Sequence, residues 1–419
     1  MYKFIFFISI FFIVLMTSCS KKTTAINLTS DFKIQEAATQ KVEKRQTCNC
    51  NIPENYIPDG SIPQIQEKKT IRVNFHFPND TKVNYSYIGE AAVTYAEKML
   101  EIANEKLLEN AKMRLPLDND IPVYDPQYNY RLVNDRNTKS GLAIYEDYDD
   151  ENWHYIKKGR HKNNFNRILI KKFVRQEHSV LNIFAMAYHP DSINVKGFNS
   201  GKGGIALGTS VKVAGILKHG RNSEWRLATL LNHEIGHVLG LSHSWYKNDG
   251  CTDTPPNPNC WGRTDAGKCN LDENLSNNVM DYNNRQNALT PCQIGKVHLN
   301  MHKEKSKVRK LLDKDWCAYN SKKSLIIDED MNLDRAVDMK GDLIVKDKAK
   351  LRLSCRVHMP KGAKIIVHPG ATLILNGTTI HNDCGDLWGG IEILSKGKLK
   401  GTVEYFGEVK IRDLEEMLD

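Results

Sequence analysis

Residues 233 to 243 read His-Glu-Ile-Gly-His-Val-Leu-Gly-Leu-Ser-His, and this run constrains the chain more than any other. On a helix at about 3.6 residues per turn, His233 and His237 project from one face toward one point. Glu234 stands one residue along and reaches a water on the same ion without being a ligand. Gly240 falls where the helix must stop, because glycine accepts the left-handed conformation that turns the chain back. That turn lets His243 arrive as a third nitrogen ligand. Three protein ligands with a fourth position left for water is the catalytic form of a zinc site. A histidine cluster on a core helix is the plain alternative.

The flanks favour a helix: Asn222 or Ser223 stands at the cap, Glu224 falls in the first turn, and Ala228, Leu231, Ile235 and Leu239 form a buried stripe. The run matches every fixed position of His-Glu-x-x-His-x-x-Gly-x-x-His and so resembles the metzincin clan of zinc endopeptidases. Ser276-Asn277-Asn278-Val279-Met280-Asp281-Tyr282 resembles the clan's Met-turn. The resemblance gives Met280 the apolar floor under the histidines and Tyr282 a hydroxyl near the metal that stabilises an oxyanion. Within the clan the match is to the pappalysin-like family, through Cys251-Thr252-Asp253-Thr254-Pro255-Pro256 and the Asn-x-Met-Asp-Tyr form of the turn.

That resemblance implies peptide-bond hydrolysis of protein or peptide substrates, with Glu234 as general base on a zinc-bound water. It implies the disulfides Cys251–Cys269 and Cys260–Cys292, although four cysteines allow three connectivities. It also implies calcium in this loop, held by Asp253 and Thr254 with Asp265 or Asp272, the hard oxygens calcium takes. An acidic loop without an ion is the alternative. Family members that cut beside basic residues carry an acidic side chain shortly after the Met-turn. Here Asn283-Asn284-Arg285-Gln286 stands there, so that preference does not carry over.

Lys3 precedes an apolar run from Phe4 to Met16, too short to span a bilayer and suited to a signal segment. It ends Leu15-Met16-Thr17-Ser18-Cys19, which resembles a bacterial lipobox. The expectation is a lipoprotein signal over 1–18 and lipid on Cys19, anchoring the chain to the membrane of the bacterial cell envelope, at the outer membrane or cell surface. Plain secretion is the alternative. Both place the chain where disulfides persist. Residues 19–66 are polar and dotted with proline, and read as a tether that includes a propeptide. Ten cysteines less Cys19 leave an odd count. One reading lets Cys48 or Cys50 occupy the open zinc position and hold the enzyme latent. The favoured reading bridges one of them to Cys317.

The catalytic domain is expected over 67–319 as an α+β fold: a twisted mixed sheet backed by two helices. Its predicted elements are a strand alternating from Ile71 to Phe77, a helix from Gly89 to Met113, and strands over Arg167 to Ile170 and Leu181 to Met186. A substrate-aligning edge strand falls near Asn194 to Phe198. His154, His161, His178, His189, His219 and His298 read as structural.

Over 320–419 the texture changes. Leu343-Ile344-Val345 returns 22 residues later as Ile365-Ile366-Val367, and Leu351-Arg352-Leu353 returns as Leu373-Ile374-Leu375. Apolar triplets at this period imply an all-β domain, a parallel β-solenoid, with a small β-sandwich as the alternative. Such a domain admits a rival function, a surface adhesin or glycan-binding lipoprotein whose protease-like module is inactive. Net charge is +9 but dispersed, and the lysines lack interleaved aromatics, so nucleic-acid binding is not expected.

Overall fold

The computed structural model describes residues 24–28, 50–82, 86–157, 161–189, 203–215, 224–245, 248–258, 260, 275–283 and 285–415. Strand β1 (Thr24–Leu28) belongs to the C-terminal module. The N-terminal module is built on β2 (Lys69–Asn79) and helix α1 (Gly89–Leu108), then β3 (Tyr128–Leu132), β4 (Ile144–Tyr148) and β5 (His154–Tyr155). Helix α2 (Ile168–Phe173), β6 (Leu181–Tyr188), β7 (Gly203–Leu207), β8 (Ser210–Ala214) and α3 (Glu224–Val238) follow. The sheet runs β3-β2-β6-β8-β7, with β4 also on β2 and β5 on β6. Every pair is parallel except β7 against β8, so β7 is an antiparallel edge.

The expected mixed sheet with two backing helices is present. Ile71, Val73, Phe75 and Phe77 of β2 join Ala92, Ala96 and Met99 of α1 and Ala228, Leu231 and Ile235 of α3 in one core. Asn74 and His76, which alternate with them, are buried too. His76 Nδ1 lies 2.7 Å from Asp147 Oδ2, its Nε2 lies 2.9 Å from Asn182 Oδ1, and its ring stacks on Phe184 at 4.3 Å. This second face is covered partly by α2, through Leu169 and Ile170. The strand expected over Arg167 to Ile170 is therefore a helix. Its short apolar run fits either period, and Asn166 decides it by accepting the Ile168 N–H at 2.6 Å, an Asx-type start.

Helices α4 (Pro291–His302) and α5 (Lys307–Lys310) lead into the second module. It is a parallel β-solenoid of four coils with three sheets. One stacks β9 (Leu325–Ile327), β12 (Leu343–Val345), β15 (Ile365–Val367) and β18 (Ile391–Lys396). A second stacks β10 (Met331–Leu333), β13 (Lys350–Leu353), β16 (Thr372–Asn376) and β20 (Thr402–Phe406), and a third stacks β11 (Val337–Asp338), β14 (Arg356–His358), β17 (Thr379–His381) and β21 (Lys410–Ile411), while β19 (Leu399–Lys400) pairs antiparallel with β18. The 22-residue repeat is the register itself: Leu343 pairs Ile365 and Leu351 pairs Leu373. Leu343, Ile365, Leu351, Leu373, Val357 and Ile380 fill the interior.

Residues 50–66 are not a tether. Ile65 enters the solenoid core, Tyr56 stacks on His302, and the Pro53 carbonyl presses on Gly295, where any Cβ would collide. Cys50 pairs with Cys355, so it is not held over a metal, and Cys317 pairs with Cys384 rather than with an N-terminal cysteine. Cys48 and Cys19 lie outside the described residues. Strand β1 pairs antiparallel with β18, from Thr24 on Ser395 to Leu28 on Ile391.

Between the modules lies a buried charge network. Asp338 is paired with Lys69 and Arg356 and sits 3.5 Å from His302 Nε2. Asp383 takes Arg356 at 2.6 Å, His302 Nδ1 at 2.8 Å and Arg309 at 2.9 Å. Burial pushes the Asp338 carboxyl up, but Lys69, Arg356 and His302 outweigh it and hold it well below the usual range. Asp338→Asn should therefore destabilise the protein by about 3–5 kcal/mol in denaturant titration, because two buried cations lose their counter-charge. The depressed folded pKa makes this contribution present above the ordinary carboxylate range and lost on further acidification. A variant whose midpoint moved equally at pH 7 and pH 3 would contradict this.

Candidate metal centre

Helix α3 carries His233, Glu234 and His237 on the side facing away from its Ala228–Leu231–Ile235 stripe. At its end Gly240 adopts φ +95°, and the Leu241 N–H donates to the Gly236 carbonyl at 2.9 Å. Asn300 of α4 donates to the Leu239 carbonyl at 2.9 Å, and its amide fills the space that a Cβ on Gly240 would need. The chain reverses there and brings His243 back. The three histidines offer nitrogens that all lie within 4.8 Å of one another. Their ring centroids are 4.8 Å (233 to 237), 5.2 Å (233 to 243) and 4.5 Å (237 to 243) apart.

Two of these rings are oriented by backbone. His233 Nδ1 donates to the Val279 carbonyl at 2.7 Å, and His237 Nδ1 donates to the Leu241 carbonyl at 2.9 Å. Protonation at Nδ1 leaves Nε2 as a lone pair. His237 Nε2 faces His243 Nε2 at 3.0 Å. Burial lowers the pKa of His237, and burial with the neighbouring His237 takes His243 down to about 4. Both shifts favour the neutral ring, the form in which imidazole binds metals.

The expected turn lies beneath. Met280 is fully buried, and a Cβ on Gly236 would sit 2.5 Å from its Sδ, so glycine at 236 admits the floor. Asn278 Oδ1 accepts the Met280 N–H at 2.8 Å, and Asn283 Oδ1 accepts the N–H groups of Arg285 and Gln286 at 2.8 and 2.6 Å. Gln286 Nε2 donates to the Asp281 carbonyl at 3.0 Å and lies 3.3 Å from His233 Nδ1. Asp281 accepts from Ser244 and from Asn257, joining the turn to the loop of the third histidine. The Tyr282 ring is 5.0 Å from His243 and 5.7 Å from His233.

Glu234 is 6% exposed, and burial raises its pKa to about 8 against the Ala206 N–H and the Lys157 charge, which lower it. A Cβ on Gly204 would lie 2.5 Å from its Oε1, so β7 passes directly over the carboxylate. The substrate-aligning edge predicted near Asn194 to Phe198 lies outside the described residues. Gly203–Leu207 is an edge strand of the described sheet, and Gly204 is the sequence signal that marks it.

The loop between helix and turn departs from expectation. Cys251 bonds Cys292, so the crossed pairing fails; Cys260 is also disulfide-bonded, and Cys269, Asp265 and Asp272 lie outside the described residues. Asp253 and Thr254 are both engaged by side chains and backbone of the protein. The Asp253 carboxylate accepts from Thr290 Oγ1 at 2.7 Å and the Cys292 N–H at 2.9 Å, capping α4, where the helix dipole favours a negative charge. Thr254 donates to Asp249 at 2.6 Å.

Residues 210–302 match the model of a peptidase family described as pregnancy-associated plasma protein-A. Among solved structures, the chain is similar to mature mirolysin of Tannerella forsythia in complex with a cleaved peptide, at 17% identity and TM-score 0.41. That match covers 59% of this chain and 97% of the other. Mirolysin in complex with a compound matches at 16% and 0.40, covering 59% and 97%. A promirolysin mutant from Tannerella forsythia matches at 16% and 0.40, covering 60% and 85%. No curated protein matches the chain. The matched segment holds the three histidines and the Met-turn, and is similar in both to that pappalysin family of metalloendopeptidases.

Gly204→Ala should displace the Glu234 carboxylate and lower kcat/KM on a peptide substrate by about 100-fold, the scale of a 1 Å misplacement at a reacting group. Zinc content of the purified variant should stay at the wild-type level. Full activity in the alanine variant would mean the strand does not approach the glutamate in solution.

Proposed function

We propose that the chain is an extracytoplasmic zinc endopeptidase in which Glu234 is the general base. One observation carries the reading: three imidazoles, with His233 and His237 each donating Nδ1–H to a backbone carbonyl, converge beside a buried carboxylate. The donor set fits zinc. A tetrahedral ion with bonds of about 2.0–2.1 Å to three imidazoles would set the ring centroids about 5 Å apart. The observed 4.8, 5.2 and 4.5 Å bracket that value. His237 Nε2 and His243 Nε2, 3.0 Å apart, are close enough to serve as ligands of one ion.

His233, His237 and His243 would hold the ion. When bound, zinc supplies a Lewis acid that acidifies a coordinated water toward pH 7 and polarises a carbonyl. Strand β7 offers its open backbone edge to an extended peptide, which aligns the scissile bond over the histidines by β-augmentation. Glu234 takes a proton from the attacking water on its carboxylate and returns it to the departing amine. Burial suits it to this exchange, since desolvation weakens its hold on the charged form. The Tyr282 hydroxyl donates to the oxyanion of the tetrahedral intermediate.

The signal-like segment ending at Cys19 supports a lipid anchor on that cysteine, and disulfides such as Cys50–Cys355, Cys251–Cys292 and Cys317–Cys384 suit an oxidising compartment. The solenoid then acts as a rigid mount for the catalytic module rather than as a spacer.

Glu234→Gln should retain one zinc per chain and lose at least about 100-fold in casein or peptide cleavage, the lower bound for a positioned acid–base group. Normal turnover by this variant would remove Glu234 from the mechanism. Full-length Cys19→Ser should lose labelling by a radioactive fatty acid when expressed in a bacterium; unchanged labelling would place the lipid elsewhere.

A further inference from the structure

His233 and His237 sit on a helix, but His243 follows the reversal at Gly240 and stands on a loop. The second side-chain torsion of histidine is broad, so backbone and rotamer do not by themselves fix the plane of its ring. A ligand ring that rolls about this axis swings its lone pair off the metal. What lies against the His243 ring is aromatic. The Trp245 indole stacks on it with centroids 3.9 Å apart and planes 14° from parallel, and the His233 ring lies on it at 5.2 Å and 28°. The same indole meets the Tyr282 ring at 4.4 Å and 50°. Between His243 and Trp245, Ser244 is buried and donates to Asp281 of the Met-turn, which pins the backbone carrying both rings.

We propose that Trp245 is a positioning residue of the centre, holding the plane of the third imidazole and, through the same ring, the setting of the Tyr282 phenol. This rests on the zinc reading above. Trp245 touches neither the reacting bond nor the ion; it acts through His243 and Tyr282. A flat face is what the role requires. Bulk alone would fill the space but leave the imidazole free to roll.

The test compares Trp245→Ala, Trp245→Phe and Trp245→Leu in the full chain. Zinc release into excess chelator, the visible absorption spectrum after cobalt substitution, and kcat and KM on a peptide are measured for each. Trp245→Ala should release zinc about 10–100-fold faster, the range for losing a group that orients a metal ligand. Its cobalt bands should broaden, and kcat should fall while KM stays near the wild-type value. Phenylalanine should restore release rate and spectrum, and leucine should not. Wild-type release and spectrum in the alanine variant would overturn the proposal, as would equal rescue by leucine. A wild-type chain that took up neither zinc nor cobalt would sink the metal reading first and this role with it.

Discussion

The hydrogen bond from His233 Nδ1 to the Val279 carbonyl is the point on which the centre depends. It joins the helix that carries two ligands to the turn that carries Met280 and Tyr282, and it fixes which ring nitrogen faces the cleft. The other contacts extend it. Gln286 braces the carbonyls of the turn, Gly236 leaves room for the Met280 sulfur, and Asp281 ties the turn to the loop bearing His243. Helix α4 closes the arrangement from below, because Asn300 caps the end of α3 while Asp253 caps α4 itself. Each side chain that orients a ligand is thus held by a second one, the condition for a preorganised metal site.

The same logic joins the modules. The C-terminal residue of α4 is His302, and it sits between Asp338 and Asp383 of the solenoid. Arg356 and Lys69 balance the two carboxylates, and the Lys69 ammonium also lies 4.5 Å over the Trp316 ring. Buried charges of this kind add little net stability when paired and cost much when separated. An arrangement that separated the modules would leave these charges without their partners.

Much of the centre was legible in the sequence because its signal is local. Eleven consecutive residues contain three ligands, the glutamate and the turn, and seven more contain the Met-turn. Trp245 lay two residues beyond the signature and went unremarked, since only the folded loop shows which face it covers. The solenoid was legible where the coils are equal in length. Leu343 to Ile365 is a step of 22, but Leu325 to Leu343 is 18 and Ile365 to Ile391 is 26. The first coil was therefore missed. The errors share a cause in long-range pairing: cysteine partners and the packing of residues 50–66 are set by contacts across the fold. Borrowed from a family, the Cys251–Cys269 pairing failed for that reason. The helix at Ile168–Phe173 was misread because a short apolar run has no decisive period.

The connection between the modules has one more property. From Lys303 to Ser324 the chain forms a short helix and two tight 3-10 turns, with Trp316 and Cys317 buried and the Cys317–Cys384 bridge across it. In the proposed function substrate lies as extended backbone along a strand edge, whereas this joint is folded into turns. On that reading the joint meets a protease as turns closed by a buried aromatic ring and a disulfide, a form that would have to open before it could be cut.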